Sequence, residues 1–213
     1  MKANSSEERK DRRREEILAA CEKLYGSLRF QEITMKQISE LTSFTRPSIY
    51  NYFPTKEEIF LALFTKEYDR WIEDLDRFAG EHPTMDADAF ADGVAQTLSR
   101  RGLLLKLLSM NLYDMEESSR PEALARFKES FGGSFAAVGR CLDRLSPALP
   151  EAAKENFLYS FFPFMYGIYP YTSVTEKQKT AMEQAGFAFR EHTIYDLTRT
   201  AIRSLLSGTG GTV

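Results

Sequence analysis

The 213-residue chain has only two cysteines and two histidines, and no apolar run of the roughly 18 residues that a membrane span requires. Cys21 and Cys141 lie far apart, each on an apolar helical pattern, which points to buried free thiols rather than a disulfide framework. His82 and His192 have no Cys, His or carboxylate neighbours at metal-ligand spacing, so no metal site is expected. There is no glycine-rich phosphate loop after a strand and no G-x-S-x-G. The paired acids Glu57-Glu58 and Glu116-Glu117 are adjacent, so on a helix they diverge and cannot share a reacting atom. These absences argue against an enzyme: no catalytic residue and no cofactor is expected. The N-terminal cations Arg9, Lys10, Arg12, Arg13 and Arg14 have no apolar stretch directly after them, which argues against a secretory leader. A cytoplasmic protein with no membrane partner is the expectation.

What is present is a charge polarity and a helical rhythm. Residues 1–56 hold 11 lysines and arginines against 8 acids, and the remainder holds 17 against 23. A head with a surplus of three positive charges on a body with a surplus of six negative ones fits a nucleic-acid reader carried by a different kind of domain. The same surplus fits a solvated N-terminal helix. Sixteen Phe and ten Tyr are enough to fill a large core and line a cavity. Alternating strand patterns are nearly absent, while apolar residues recur with the 3.6 period almost from end to end. The predicted fold class is all-α, an N-terminal three-helix helix-turn-helix domain plus a C-terminal helical bundle.

The first helix is predicted over about 7–28, with Ile17, Leu18, Cys21, Leu24 and Tyr25 on one stripe. Arg12, Arg13 and Arg14 precede that stripe as a flexible arm facing water or phosphate. Two capping-box signatures follow, Thr34 with Gln37 and Thr55 with Glu58. The first opens a short helix over about 35–41, the second a long one over about 56–79. Between them, Thr42-Ser43-Phe44 makes a turn and a second short helix runs over 45–53. Thr45 is its N-cap, Pro47 sits in its first turn, and Pro54 ends it. Two short helices around a three-residue turn make a helix-turn-helix. Further helices are predicted over about 86–100, 103–112, 121–145, 151–169 with a kink at Pro163, 175–184 and 188–206. The expected domains are 1–54, which holds the helix-turn-helix, a helical body over 55–207, and 208–213 as a flexible tail.

The stretch from Phe30 to Phe64 resembles the DNA-binding domain of the TetR repressor family. The motifs are Phe30-x-x-Ile33-Thr34-x-x-x-Ile38, the aromatic run Tyr50-Asn51-Tyr52-Phe53, and a following helix that opens Thr55-Lys56-Glu57-Glu58. The resemblance covers about residues 10–64. A recognition helix presents its N-terminal side chains to base edges in the major groove; here these are Thr45, Arg46, Pro47 and Ser48. Arg46 can pair bidentately with guanine, and Pro47 can touch a thymine methyl. The resemblance implies that Tyr50 and Tyr52 reach phosphates and that Asn51 reaches a phosphate or a base edge. Lys56, and Thr34 with Lys36 at the start of the earlier helix, are placed to grip further phosphates. Phe53 reads as core, and for Tyr50 and Tyr52 a core role stays open. The family often has glycine at the turn, where this chain has Thr42-Ser43-Phe44, so a remodelled turn is expected.

The resemblance also implies a homodimer on a double-stranded DNA operator with an inverted repeat, because one short helix reads few base pairs. The family pairs its last two long helices, which gives Phe157, Phe161, Phe164, Tyr195, Leu197, Ile202 and Leu205 as interface candidates; each is also a core candidate. It implies a small-molecule effector that releases DNA, with helix 56–79 as the mechanical link. Met110, Tyr113, Phe127, Phe131, Phe135, Phe162, Met165, Tyr166 and Tyr169 are the pocket candidates. Polar residues are sparse among them, which favours an apolar or aromatic effector over a polar one. The same residues are equally the makings of a packed core. The expected function is a ligand-responsive regulator, a repressor. The sign of regulation depends on where the operator lies, and the rival reading is a helical interaction module without sequence-specific DNA binding.

Overall fold

The computed structural model describes residues 2–110 and 112–208, and the expected tail beyond residue 208 lies outside them. Among the described residues there are eleven α-helices and no strand. They are α1 (Lys2–Ser27), α2 (Met35–Glu40), α3 (Arg46–Tyr50), α4 (Lys56–Glu81), α5 (Ala87–Ser99), α6 (Gly102–Leu108), α7 (Leu112–Glu117), α8 (Pro121–Leu145), α9 (Glu151–Thr172), α10 (Glu176–Gln184) and α11 (Ile194–Gly208), with one 3-10 turn at Phe30–Glu32. Helices α4 and α8 each supply their first part to one compact unit and the remainder to another.

The first unit comprises residues up to 66 together with 112–129. Its core is the predicted stripe of α1 (Ile17, Leu18, Cys21 and Tyr25), closed by Ile38 of α2, Ile49 of α3 and Ile59, Phe60, Leu63 and Phe64 of α4. Tyr25 and Phe30 both meet the Phe60 ring edge-on, at 5.1 and 4.8 Å between centroids. Phe64 meets Phe127 of α8 at 5.5 Å. The carboxylate of Glu58, 3% exposed, accepts from the Arg120 backbone N–H, Nε and Nη2 at 3.0, 2.8 and 2.7 Å. The expected cut after residue 54 therefore does not coincide with the compact unit, because the start of α4 completes the core under α1 and the 112–129 segment is tied to it.

The second unit comprises 67–110 and 130–208 among the described residues. Tyr68, Trp71 and Leu75 of α4 are buried with Phe90, Val94 and Leu98 of α5 and with Phe157, Phe161, Phe162 and Met165 of α9. The Trp71 indole donates to Thr97 Oγ1 at 3.1 Å, and the Thr97 hydroxyl donates to the Val94 carbonyl at 2.8 Å, so this buried pair is satisfied. A Cβ on Gly93 would stand 2.0 Å from Phe78 Cζ, so only glycine lets that ring lie against α5. Helix α11 packs on α5 and α9. Both cysteines are buried and unpaired, and burial, the main cause, raises each thiol to about 12.

Three predicted boundaries move, each for a local reason. The helix expected over 103–112 stops at Leu108, where Ser109 Oγ donates to the Lys106 carbonyl at 2.7 Å, and α7 begins separately at Leu112. The last helix begins at Ile194 rather than 188. Thr193 caps it, accepting from Asp196 N–H at 3.1 Å, while the Asp196 carboxylate accepts from the Thr193 hydroxyl at 2.6 Å. The recognition segment is regular only over 46–50; Tyr52 and Phe53 N–H both bond to the Ile49 carbonyl at 2.8 and 3.0 Å in the turn before Pro54.

Candidate nucleic-acid interface

Helix α2 starts on the predicted box. Gln37 N–H donates to Thr34 Oγ1 at 3.3 Å and the Gln37 side chain accepts from Thr34 N–H at 2.9 Å. Lys36 stays on the exposed side, 3.8 Å from Glu40. The turn to α3 uses no left-handed residue: among the described residues the only positive φ is that of Gly186. Instead Thr42 Oγ1 lies 3.0 Å from the Ser39 carbonyl and 3.1 Å from that of Phe44. The Glu16 carboxylate of α1 accepts from both the Ser43 N–H and the Ser43 hydroxyl. A side chain from another helix thus fixes the turn at which the sequence lacks a glycine.

In α3 the buried Ile49 anchors the helix, and Thr45, Arg46, Pro47 and Tyr50 are exposed around it. Thr45 makes no side-chain bond to the helix backbone; its hydroxyl and that of Ser48 stand 3.1 Å apart. Arg46 Nη2 donates to the Tyr50 hydroxyl at 3.0 Å, with the guanidinium 5.8 Å from the ring centre. Tyr50 is 41% exposed, which answers the open question of a core role against burial. Phe53, 1% exposed, is core as expected, with the Arg14 guanidinium 4.4 Å above its ring.

The expected flexible arm is helical. Arg13 Nη1 donates to the Tyr52 hydroxyl at 3.2 Å and Arg14 Nη1 to the Tyr52 carbonyl at 3.3 Å. Burial first, then the like charges of Arg126 and Arg120, lowers the Arg14 pKa. Arg9, Lys10 and Arg13 of α1 line a hollow of about 430 Å³ with Asn51 and Tyr52. Arg9 and Lys10 were not among the contact residues expected from the sequence. Their spacing of three and four from Arg13 puts all three on one helix face, the one local signal that could have nominated them.

Lys56 is placed differently from expectation. Its ammonium donates to the Phe30 and Ile33 carbonyls at 2.8 and 2.9 Å and lies 4.1 Å from the Phe30 ring centre. Burial lowers its pKa. Two of its three protons thus serve the end of the 3-10 turn, leaving one for an outside acceptor. Thr55 caps α4, accepting from Glu58 N–H at 3.2 Å, but the reciprocal half of that box is missing because the Glu58 carboxylate is held by Arg120.

The pocket candidates do not converge as a set. Phe131, Phe135, Phe162 and Tyr166 line a groove of about 440 Å³ between α8 and α9, joined by Tyr159 and Pro163. Phe135 stacks on Phe162 at 3.7 Å. Met165 is wholly buried, while Met110 and Tyr169 are half-buried outside that lining. Phe127 and Tyr113 belong to the first unit, Phe127 in its core and Tyr113 83% exposed on α7. Of the interface candidates, Phe157, Phe161 and Ile202 are enclosed by the chain itself and have no area left for a partner. The Tyr195 hydroxyl donates to the Asp92 carboxylate at 2.7 Å, and Phe164, Leu197 and Leu205 are half-buried.

Residues 17–63 match the domain family described as bacterial regulatory proteins, tetR family, and residues 65–211 match the tetracyclin repressor-like C-terminal domain. The HTH-type transcriptional regulator EthR of Mycolicibacterium smegmatis is 30% identical over 127 residues, 58% of this chain and 54% of that protein. The chain spans only about half the length of the curated relatives it matches, 41% of one and 54% of the other. Among solved structures, a TetR-family transcriptional regulator from Mesorhizobium loti shares the fold at TM-score 0.61 and 14% identity, over 94% of this chain and 98% of that one. FadR from Bacillus subtilis, solved in complex with stearoyl-CoA, does so at TM-score 0.53 and 17% identity, over 91% and 97%. With both of its domains matched, the second alone across more than half its length, the chain belongs to the TetR family of bacterial regulatory proteins.

Proposed function

We propose that the protein is a DNA-binding transcriptional repressor that reads a two-fold operator as a homodimer and releases it on binding a small apolar or aromatic effector. The observation that carries this reading is the division of labour in α3. Ile49 and Phe53 fasten the helix inward, while Thr45, Arg46, Pro47 and Tyr50 stay exposed. The cations Arg9, Lys10 and Arg13 stand beside Asn51 and Tyr52. In this reading Arg46 exchanges its bond to Tyr50 for a guanine edge. Tyr50, Tyr52, Asn51, Lys36, Thr34 and Lys56 hold backbone phosphates, and Ser48 and Pro47 complete the base contacts. The effector sits in the groove of Phe131, Phe135, Phe162 and Tyr166. Its walls are aromatic, and a fold relative solved with stearoyl-CoA supports a ligand with an apolar body. Helix α8 belongs to both compact units, so a ligand bound along it acts on a helix that the DNA-reading unit shares.

The test is selection of fragments from the source genome at moderate salt, followed by sequencing, with wild type and Arg46→Ala side by side. A shared inverted repeat is expected, and the variant should lose about 1–3 kcal/mol of discrimination at one position of each half-site. Binding that is blind to sequence and vanishes as salt rises would leave only phosphate attraction and overturn the reading in favour of an interaction module.

A further inference from the structure

An apolar hollow in the second unit is used neither by the DNA-reading surface nor by the aromatic groove. The end of α9, helix α10, the irregular stretch 185–193 and the start of α11 line an open hollow of about 560 Å³, within the range of small-molecule sites. Its walls are Tyr171, Val174, Met182, Phe187, Phe189 and Leu197. The wall beyond α10 has a defined geometry. Gly186, at φ 68, ends the helix, and the Phe187 N–H bonds back to the Met182 carbonyl at 2.9 Å, a glycine-terminated helix end that fixes where Phe187 goes. Even so, Tyr171 and Phe187 remain 66% and 62% exposed, large aromatic surfaces that the chain leaves uncovered.

The charge on this lining is one-sided. Arg190 and His192 are its only ionisable groups besides the Tyr171 phenol. Of the acids nearby in sequence, Glu191 and Glu176 pair with Lys179 at 3.0 and 3.3 Å, Asp196 caps α11 through Thr193, and the exposed Glu183 is not part of the lining. Among the described residues Arg190 has no ion pair. An open apolar hollow bordered by a guanidinium without an ion pair suits an amphiphile with an apolar body and a carboxylate head, since the fork of an arginine matches a carboxylate edge. We propose that this hollow binds a straight-chain carboxylic acid, with the carboxylate on Arg190 and the chain against Met182, Phe187 and Leu197. The site is separate from the effector groove and stands whether or not the regulator reading holds.

The test is calorimetric titration of the full chain with dodecanoate, in the absence of DNA, beside dodecyltrimethylammonium, which has the same tail and the opposite charge. One saturable site per chain is expected for the acid and none for the cation. Arg190→Gln should weaken the acid about tenfold, the effect of one lost charge-assisted contact. Ala181→Trp, a substitution at an exposed position of the lining, should abolish binding with the thermal midpoint unchanged. No binding of dodecanoate, equal affinity in all three proteins, or equal binding of the cation would overturn the proposal. So would a fall in the light-scattering mass of Ala181→Trp from dimer to monomer, which would make the hollow an interface between copies of the chain.

Discussion

The Lys56 ammonium donates to two main-chain carbonyls 26 and 23 residues earlier in the chain, and burial has lowered its pKa. Its contribution is therefore to the fold as well as to any phosphate. Lys56→Met keeps the aliphatic stem over Phe30 but leaves both carbonyls without that donor. It should cost about 1 kcal/mol in a urea titration, at the low end for bonds to a charged group because the site is partly solvated. Lys56→Arg should not restore it, since a planar fork does not reproduce the ammonium's two divergent bonds. A variant with unchanged stability and reduced DNA affinity would instead make Lys56 a phosphate contact alone. Single residues were legible where their role is local. Thr45 and Pro47 mark the start of α3, and the alternation of Ile49 and Phe53 with exposed neighbours follows from helical spacing. The hollow at Tyr52 was not legible, because Arg13 and Tyr52 are 39 residues apart and no pattern around either residue announces the other.

The capping boxes show the same contrast between helices. Thr34 with Gln37 closes as the sequence says, and so does Thr175 with Gln178 on α10, a box of the same type that the helical rhythm alone did not bring out. Thr55 with Glu58 closes by half, because a carboxylate finds a better partner in the guanidinium of Arg120, 62 residues on. Local propensity gives way to a tertiary ion pair, which no window of the sequence contains. The pair has a pH signature. Burial raises the Glu58 pKa, but the bonds and charge of Arg120 more than offset this, so the folded value lies below the ordinary 4.5. A carboxyl with a depressed folded pKa contributes its stability in full above the unfolded value and loses it as the pH falls through the folded one. Wild type should therefore lose more of its urea midpoint between pH 7 and pH 3 than Glu58→Gln. The variant should be the less stable at pH 7, and the gap should narrow below about 4.5. Parallel curves would mean that the pair contributes nothing pH-dependent.

For the whole molecule, the proposed homodimer raises the question of which apolar surface is core and which a second copy would cover. The sequence could not separate them, since a buried Phe and an interfacial Phe occupy the same helical positions and differ only in what covers them. The structure divides the seven candidates. Phe157, Phe161 and Ile202 are already enclosed by their own chain, Leu197 lines the α10 hollow, and Tyr195 is tied to Asp92. Phe164 of α9 and Leu205 of α11 keep part of their surface. A two-fold interface places each such residue against the same surface of its partner, so a charge introduced there meets its own copy as well as losing apolar area. Phe164→Glu and Leu205→Glu should each convert a dimer to a folded monomer by light scattering, with circular dichroism unchanged and operator affinity reduced well beyond tenfold, because a lone head reads half the site. Phe161→Glu buries an unpaired charge in the core and should instead unfold the second unit. If both surface variants remain dimeric and bind the operator as wild type does, the copies meet through a face other than α9 and α11.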